Sequence, residues 1–289
     1  MRLLVTGATG FIGRACVRAA LARGHAVAAL AHRAPAQSLA GTVTWVEGGL
    51  AEPDWAAIKS FAPDSCLHTA WVTAPGEYLS SPLNRAFQEW SLAFLRGLVT
   101  RGMGHAIVLG TCLEYAPQRA PMREDVSPLG PASLYAQSKD ALRRELEHLD
   151  FAMGWARVFF PYGPGEDPRR FASSIFGRIS RNEDVALKTP DSVRDYIFVE
   201  DVAEALLVML EGRWRGAINI GTGTGMSVRE IAQTVAEIIG KPARITVPEI
   251  VPDPYDFLVA DTTRLRALGW CPRTSLAEGL RHLVRSLAS

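Results

Sequence analysis

The sequence predicts an α/β fold, with a doubly wound parallel sheet followed by a smaller lobe from the C-terminal half. Two observations support this. Short apolar runs alternate with helix-like segments through the first 150 residues, which is the pattern of βαβ units. The apolar runs are nearly uninterrupted, as expected of strands whose two faces are both covered. After Gly154 the alternation becomes less regular, which indicates a change of architecture.

The elements follow in order along the chain. We predict strands at 3–6, 26–31, 43–47, 65–70, 105–110, 155–160 and 217–220. We predict helices at 11–23, 81–101, 133–149 and 227–239, and a short strand followed by a helix within 197–211. Gly24 ends the first helix and Ser133 is a candidate N-cap of the third. Ser227 and Glu230 have the spacing of a capping box.

Composition excludes several classes of protein. The 289 residues are 48% hydrophobic and 21% charged, which is typical of a globular protein. A net charge of +1 argues against nucleic-acid binding. We expect no membrane span and no signal peptide, because no apolar run is long enough. The four cysteines and six histidines show no metal-binding spacing, so we expect no metal, reduced thiols and a cytoplasmic location.

A glycine-rich loop separates the first predicted strand from the first predicted helix. Gly7, Gly10 and Gly13 form a G-x-x-G-x-x-G pattern there. Missing Cβ atoms allow a tight turn and a close backbone approach to a pyrophosphate, which would face the positive end of the helix dipole. The sequence therefore predicts a dinucleotide site that includes Thr9, Phe11 and Ile12.

The end of the second strand indicates which dinucleotide is bound. An acid at this position commonly binds the ribose 2′-hydroxyl of NAD. The sequence has no acid between Val27 and Arg33 and instead ends in His32 and Arg33. Since a guanidinium suits a 2′-phosphate, we predict NADP, with NAD as the alternative.

Three residues form a candidate proton-handling group. Tyr135 and Lys139 are four residues apart near the start of a predicted helix and therefore share a face. Thr111 follows the fifth strand, at the edge where ligands bind in doubly wound sheets. We predict that the Lys139 ammonium lowers the pKa of Tyr135, which would make this phenol a general acid and base.

These motifs, taken together, resemble the extended short-chain dehydrogenase/reductase family, and more narrowly its nucleotide-sugar epimerase/dehydratase group. Further matching segments are His68-Thr69-Ala70, Arg194 to Ala203, Tyr162-Gly163-Pro164-Gly165, Asn219-Ile220-Gly221 and Leu268-Gly269-Trp270. The resemblance implies a Rossmann domain over 1–160 plus 193–222, and a substrate-binding lobe over 161–192 plus 223–289. It also implies a nucleotide-diphosphate sugar as substrate, and a homodimer formed through helices 81–101 and 133–149.

The resemblance also extends the predicted sites. The coenzyme site gains four residues: Leu50, His68, Thr69 and Ala70. The predicted substrate site comprises six: Trp71, Cys112, Glu114, Phe160, Arg170 and Arg194. Arg170 and Arg194 are candidates for the phosphates, because planar guanidinium groups suit them. For Trp71 a packing role is an equal alternative, and for Cys112 a packing role is the favoured one, because a buried cysteine usually acts as a small packing residue.

Departures from the family pattern reduce the number of reactions that the chain is expected to catalyse. The 4,6-dehydratases of this group have an Asp-Glu pair immediately after the catalytic Thr, whereas this chain has Cys112 and Leu113. We therefore predict NADPH-dependent reduction of a nucleotide-activated 4-keto-6-deoxy sugar, with hydride transfer to C4. Three alternatives remain: a nucleotide-sugar 4-epimerase with bound NAD, a reductase of a non-sugar ketone, and a non-catalytic NADP-sensing module.

Overall fold

A computed structural model describes residues 1–32, 43–249 and 251–288 and divides into two compact units. The first unit contains Met1–Glu114, Pro131–Arg157 and Ala203–Ile218. The second unit contains Tyr115–Gly130, Val158–Val202 and Asn219–Ser289.

The strands are short and are distributed along the whole chain. They are β1 (Arg2–Thr6), β2 (Ala26–Ala31), β3 (Val43–Glu47), β4 (Ser65–His68), β5 (His105–Thr111), β6 (Ala152–Val158), β7 (Phe160–Tyr162), β8 (Val185–Ala186), β9 (Val193–Arg194), β10 (Tyr196–Phe198), β11 (Gly216–Ile220), β12 (Met226–Ser227), β13 (Ile245–Thr246) and β14 (Phe257–Leu258).

The helices alternate with these strands. They are α1 (Phe11–Ala22), α2 (Trp55–Phe61), α3 (Leu83–Val99), α4 (Leu134–Glu147), α5 (Phe171–Ser180), α6 (Val199–Glu211), α7 (Val228–Ile239), α8 (Thr263–Ala267) and α9 (Leu276–Ala288). The N-cap of α4 is Ser133, whose hydroxyl accepts a hydrogen bond from the amide of Ala136, and Ser227 and Glu230 form the capping box of α7, as the sequence predicts.

The central sheet has seven strands in the order β11-β6-β5-β4-β1-β2-β3. The pairs β1–β2, β1–β4, β2–β3 and β4–β5 are parallel. The predicted Rossmann-type sheet is therefore confirmed. The parallel register sets Thr6 level with His68, so the loops that follow β1 and β4 leave the sheet at one edge. Ligands bind at this carboxyl edge in doubly wound sheets.

The second unit has its own apolar core. Helices α5, α7 and α9 surround a cluster that includes Ile175, Val235 and Leu280. Its sheets are small: β7 pairs with β10, β8 pairs with β13, and β9 lies between β12 and β14. Helices α5 and α9 were not predicted from the sequence. Helix α5 follows a segment rich in Pro, Gly and Arg, whereas the apolar residues of α9 do recur at helical spacing and were overlooked.

The four cysteines differ in exposure. Cys16, Cys66 and Cys112 are buried free thiols, and Cys271 is an exposed one. Burial raises the pKa of the Cys16 thiol to about 12. Among the helices in the described part of the chain, none has the length and apolar character needed to cross a bilayer.

Candidate active site

The glycine loop joins β1 to α1 in a conformation that requires glycine. Gly7 has a φ of 64°, and a Cβ there would lie 2.7 Å from the amide nitrogen of Ala70. A Cβ at Gly13 would overlap the carbonyl oxygen of Gly7. Gly10 is the N-cap of α1 and has no side chain to cap it, so the first-turn amides of the helix have no side-chain acceptor there.

This loop fits the pyrophosphate of a dinucleotide. Uncapped first-turn amides and the helix dipole favour an anion, and the first turn of α1 contains no acidic residue. Thr9 and Gly10 are exposed, while Phe11 and Ile12 are half-buried. The residues present therefore suit the pyrophosphate of a dinucleotide coenzyme.

The segment after β4 lies against this loop. The Thr69 hydroxyl donates to the carbonyl of Thr6 at 2.7 Å, and the Ala70 amide donates to the Thr6 hydroxyl at 3.3 Å. His68 is buried, and its ring nitrogens lie 2.9 Å from the hydroxyls of Thr6 and Ser91. Burial lowers the pKa of His68 to about 3, so the ring is neutral. The His68 side chain therefore holds the two strands together from the interior, and Thr69 and Ala70 are the predicted coenzyme residues that border the loop.

The ends of β2 and β3 carry the remaining coenzyme predictions. A Cβ on Gly49 would lie 2.5 Å from the His32 ring, so the exposed His32 packs against the loop that follows β3. Leu50 is buried beside it. Arg33 lies outside the described residues. The register also sets Glu47, an exposed acid at the end of β3, level with Ala31, which the sequence analysis did not consider.

Tyr135 and Thr111 are brought together as predicted. The Thr111 hydroxyl is within hydrogen-bonding reach of the Tyr135 phenol. The backbone amide of Tyr135 donates to the carbonyl of Leu79 at 3.1 Å, and its ring meets that of Tyr78 edge to face at 4.9 Å. Burial raises the pKa of Tyr135 well above its usual range, and the hydrogen bond from Thr111 opposes this rise. The prediction that Lys139 gives this phenol a low pKa is wrong for the protein alone, because desolvation is the larger effect.

Lys139 lies on the same face of α4. Its ammonium nitrogen donates to the carbonyl of Leu109 at 2.6 Å and lies 4.1 Å from the centre of the Trp71 ring and 5.5 Å from that of Tyr135. Burial lowers the pKa of Lys139 to about 7, while the charge of Glu114 acts in the opposite direction.

Trp71 is one of the predicted substrate residues. It is largely buried, and its indole N–H donates to the side-chain oxygen of Asn84 at 2.8 Å. With the ring beneath the Lys139 ammonium, Trp71 is a wall of the site that orients this lysine.

Glu114 requires a correction. Glu114 is a predicted substrate residue, but its side chain is fully buried. Its carboxylate accepts hydrogen bonds from the amide of Thr111 at 2.8 Å, from the indole of Trp155 at 3.0 Å and from the guanidinium of Arg157 at 2.8 Å. Glu114 is thus part of the interior beneath Thr111. Its neighbour Cys112 is also buried, with 2% of its surface exposed.

The predicted phosphate-binding arginines belong to the second unit. Arg194 forms an ion pair with Asp253 and donates to the carbonyl of Tyr255. Its guanidinium also lies 5.4 Å from the centre of the Phe160 ring. Arg170 is the half-buried N-cap residue of α5. The structure therefore brings Phe160 and Arg194 together, and it adds a carboxylate that the sequence analysis missed.

Three supporting residues were not predicted from the sequence. Ser91, Asn84 and Arg157 act through contacts with residues 13 to 43 positions away. A polar residue inside an apolar helix or strand was the available hint, since such residues need partners when buried.

Comparison with known proteins agrees with this geometry. The sequence profile of the NAD dependent epimerase/dehydratase family matches residues 3–221. The UDP-glucose 4-epimerase of Mycolicibacterium smegmatis is 31% identical, over 98% of this chain and 97% of that protein.

Two solved structures are similar along nearly their whole lengths. The Thermus thermophilus UDP-glucose 4-epimerase in complex with NAD has a TM-score of 0.85 and 28% identity, covering 100% of this chain and 99% of that one. MoeE5 in complex with UDP-glucuronic acid and NAD has a TM-score of 0.87 and 26% identity, covering 99% and 98%.

The predictions of an enzyme and of the extended short-chain dehydrogenase/reductase fold are both confirmed by these matches. The glycine loop and the carboxyl-edge residues lie within the matched range. The chain belongs to the NAD dependent epimerase/dehydratase family.

Proposed function

We propose that this protein is an NAD-dependent 4-epimerase of a UDP-sugar. The observation that carries the proposal is the grouping of Thr111, Tyr135 and Lys139 at the edge of the sheet to which the glycine loop also belongs. The relatives support the epimerase over the 4-keto-sugar reductase that the sequence analysis favoured, because UDP-glucose 4-epimerases match along the whole chain.

The proposed chemistry is reversible at one carbon. A bound nicotinamide dinucleotide supplies a reversible hydride acceptor. Tyr135 takes the proton of the C4 hydroxyl as the sugar is oxidised and returns it when the ketone is reduced on its other face. Thr111 donates a hydrogen bond that stabilises the charged form of the phenol.

The pKa values describe the resting state of this group. With its pKa raised by burial, Tyr135 keeps its proton at neutral pH in the protein without coenzyme, and it must lose that proton before it can accept the proton of the C4 hydroxyl. Burial lowers the pKa of Lys139 to about 7, so the charge of this amine responds to its surroundings near neutral pH. A further positive charge next to the phenol favours its ionised form. We propose that Lys139 and the coenzyme ring provide this together, so that Tyr135 becomes a base only in the loaded enzyme.

The coenzyme proposal is NAD, held by residues 7–13 of the glycine loop with Thr69 and Ala70. The acid that NAD binding commonly uses is absent from the end of β2. Glu47, level with Ala31 across the β2–β3 pair, offers a carboxylate at the same edge. We propose that it supports binding of a ribose with a free 2′-hydroxyl.

A second candidate remains the NADPH-dependent reduction of a 4-keto-6-deoxy sugar nucleotide. The observation that favours it is the same missing acid at the end of β2, which leaves His32 there. The two candidates differ in stoichiometry, because an epimerase returns its coenzyme to the starting state and a reductase consumes one coenzyme for each product.

The test is direct. Purified protein is incubated with UDP-glucose, UDP-galactose or UDP-glucuronic acid, with and without added NAD, and the sugars are separated. We expect interconversion of C4 epimers with no net change in absorbance from the reduced coenzyme. We expect Tyr135→Phe to lower kcat by about 10²–10⁴-fold while NAD binding persists. Stoichiometric oxidation of NADPH by a 4-keto sugar nucleotide, without epimerisation, would establish the reductase instead.

We also propose that the second unit holds the nucleotide part of the substrate and that the chain forms a homodimer. Helix α3 carries exposed apolar side chains for such an interface, with Leu83 50% and Trp90 36% exposed. Analytical ultracentrifugation of the wild type and of Trp90→Glu checks this, and a monomeric wild type would refute it. The buried free thiols fit a reducing compartment such as the cytoplasm.

A further inference from the structure

One carboxylate lies directly beneath the proposed proton-transfer group. Glu114 is the last residue of the short 3₁₀ turn Cys112–Glu114 that follows β5, and its side chain folds back to accept the amide hydrogen of Thr111. Its second oxygen accepts from Arg157 at 2.8 Å, and both oxygens lie within 3.1 Å of the Trp155 indole nitrogen. One buried charge thus ties the end of β5 to β6.

Burial of this ion pair requires that both charges lose their hydration. Glu114 has no exposed surface and Arg157 has 2%. A buried ion pair gains little over an apolar pair of similar volume, because desolvation of both charges offsets their attraction. Stability alone therefore gives weak grounds for placing a glutamate at this position.

The contacts at Thr111 suggest a different role. The Thr111 residue is held from two directions, since its amide donates to Glu114 and its hydroxyl accepts from the amide of Leu113 at 3.3 Å. A hydroxyl has one hydrogen to donate. One of its two lone pairs accepts from the Leu113 amide, and its single hydrogen can be donated to Tyr135.

We propose that Glu114 is a positioning residue for proton transfer, and that its carboxylate fixes the Thr111 backbone so that the Thr111 hydroxyl points at the Tyr135 phenol. This inference rests on the proposed acid and base role of Tyr135. Glu114 touches neither substrate nor coenzyme and acts through Thr111. Its charge also favours the ammonium form of Lys139.

The experiment must remove the anchor without leaving one charge unpaired. The double substitution Glu114→Met with Arg157→Met removes both charges at once, which is often neutral for stability. Glu114→Asp is the second variant, because it keeps the charge but withdraws the carboxylate by one methylene, so that Thr111 and Arg157 cannot both be reached. Asp140→Asn is the matched control, since Asp140 is a buried carboxylate of α4 that pairs with Arg143 and Arg144 instead.

Two readouts separate positioning from a merely structural role. The first is the split between kcat and KM for the UDP-sugar. We expect kcat to fall by about 10²-fold in the double variant, with KM little changed, and Asp140→Asn to retain its kcat. The second needs no turnover: hydrogen exchange of the Thr111 amide, followed by NMR, should accelerate in both Glu114 variants while the Ile107 amide of the same strand stays protected.

The outcomes are distinct from those that test the function. Unchanged kcat together with a protected Thr111 amide in Glu114→Asp would overturn the positioning role. If the double variant does not fold, Glu114→Asp decides alone. If the wild type converts no UDP-sugar, the proposed function fails, and the amide exchange still shows whether Glu114 anchors Thr111.

Discussion

The predicted site residues of the two units differ in the partners that they contact. In the first unit these residues meet one another: Thr111 reaches Tyr135, and Lys139 lies over Trp71. In the second unit the predicted phosphate-binding residue Arg194 forms an ion pair with Asp253, which is not one of the predicted site residues. Asp253 is itself fixed by the Ser192 hydroxyl at 2.8 Å and by the Tyr255 amide at 3.0 Å.

This contrast shows two ways in which a functional side chain is positioned. Residues at the ends of parallel strands are placed by backbone register, so their proximity follows from the order of the strands. The position of an arginine guanidinium depends instead on its long, flexible side chain and on which acceptors the tertiary structure places within its reach. The proposed binding of an anion by the second unit should therefore depend on the strength of the ion pair between Asp253 and Arg194.

The largest expected effect compares one substitution in both units. Gly13→Ala places a Cβ against the carbonyl of Gly7 between two backbone segments, so we expect a loss of about 1–3 kcal/mol in unfolding free energy and no detectable NAD binding. Gly177→Ala in α5 meets only the flexible end of the Arg181 side chain at 3.3 Å, and should stabilise the protein by about 0.5–1 kcal/mol. Urea unfolding and NAD titration measure both, and equal effects in the two units would contradict the comparison.

A smaller effect concerns pH and the interior of the first unit. Burial lowers the pKa of His68 to about 3, from its ordinary value of 6.5. Between these two pH values the unfolded chain binds a proton at His68 and the folded chain does not. Stability should therefore fall as pH decreases below 6.5, by about 1.4 kcal/mol per pH unit from this group. Urea unfolding at neutral and mildly acidic pH should show a shallower dependence in His68→Gln, whereas the exposed His148→Gln should match the wild type. Parallel slopes for all three proteins would show that His68 is protonated in the folded state.

The smallest expected effect tests the pairing in the second unit. Asp253→Asn leaves Arg194 without its anionic partner, so we expect a UDP-sugar to bind about tenfold more tightly, in line with one charge-assisted hydrogen bond. Asp191→Asn is the control, because the Asp191 side chain is 86% exposed. Calorimetric titration with UDP-glucose gives both affinities. Weaker binding of UDP-glucose by Asp253→Asn would mean that Asp253 holds Arg194 in a position that favours binding, and that the ion pair does not compete with the ligand.

Much of the fold could be predicted from the sequence. Strands β1, β2, β3 and β5 lie within one residue of the apolar runs that predicted them, and the glycine loop joins β1 to α1, because local propensity and burial act together there. Strand β6 begins three residues before its predicted position, and helix α2 was not predicted. Helix α5 was missed because its signal is obscured by the preceding Pro, Gly and Arg residues, and helix α9 was missed although its apolar residues recur at helical spacing and pack into the core of the second unit.

The site was predictable in part for the same reason. Thr111, Tyr135 and Lys139 were found because strand ends and helix faces follow from short sequence spacing. The burial of Glu114 was not predictable, since its partners Trp155 and Arg157 lie 41 and 43 residues away. The direction of the pKa of Tyr135 was predicted wrongly, because spacing reveals a neighbouring charge but not the loss of water around it.

The uneven exposure of the thiols has a practical consequence. Three of the four cysteines are enclosed, and a raised pKa keeps Cys16 unreactive at neutral pH, while Cys271 stands at the surface of the second unit. A maleimide dye added to the native protein should therefore attach at this one position. Its fluorescence would then report ligand-dependent changes around Cys271 in an otherwise unaltered enzyme.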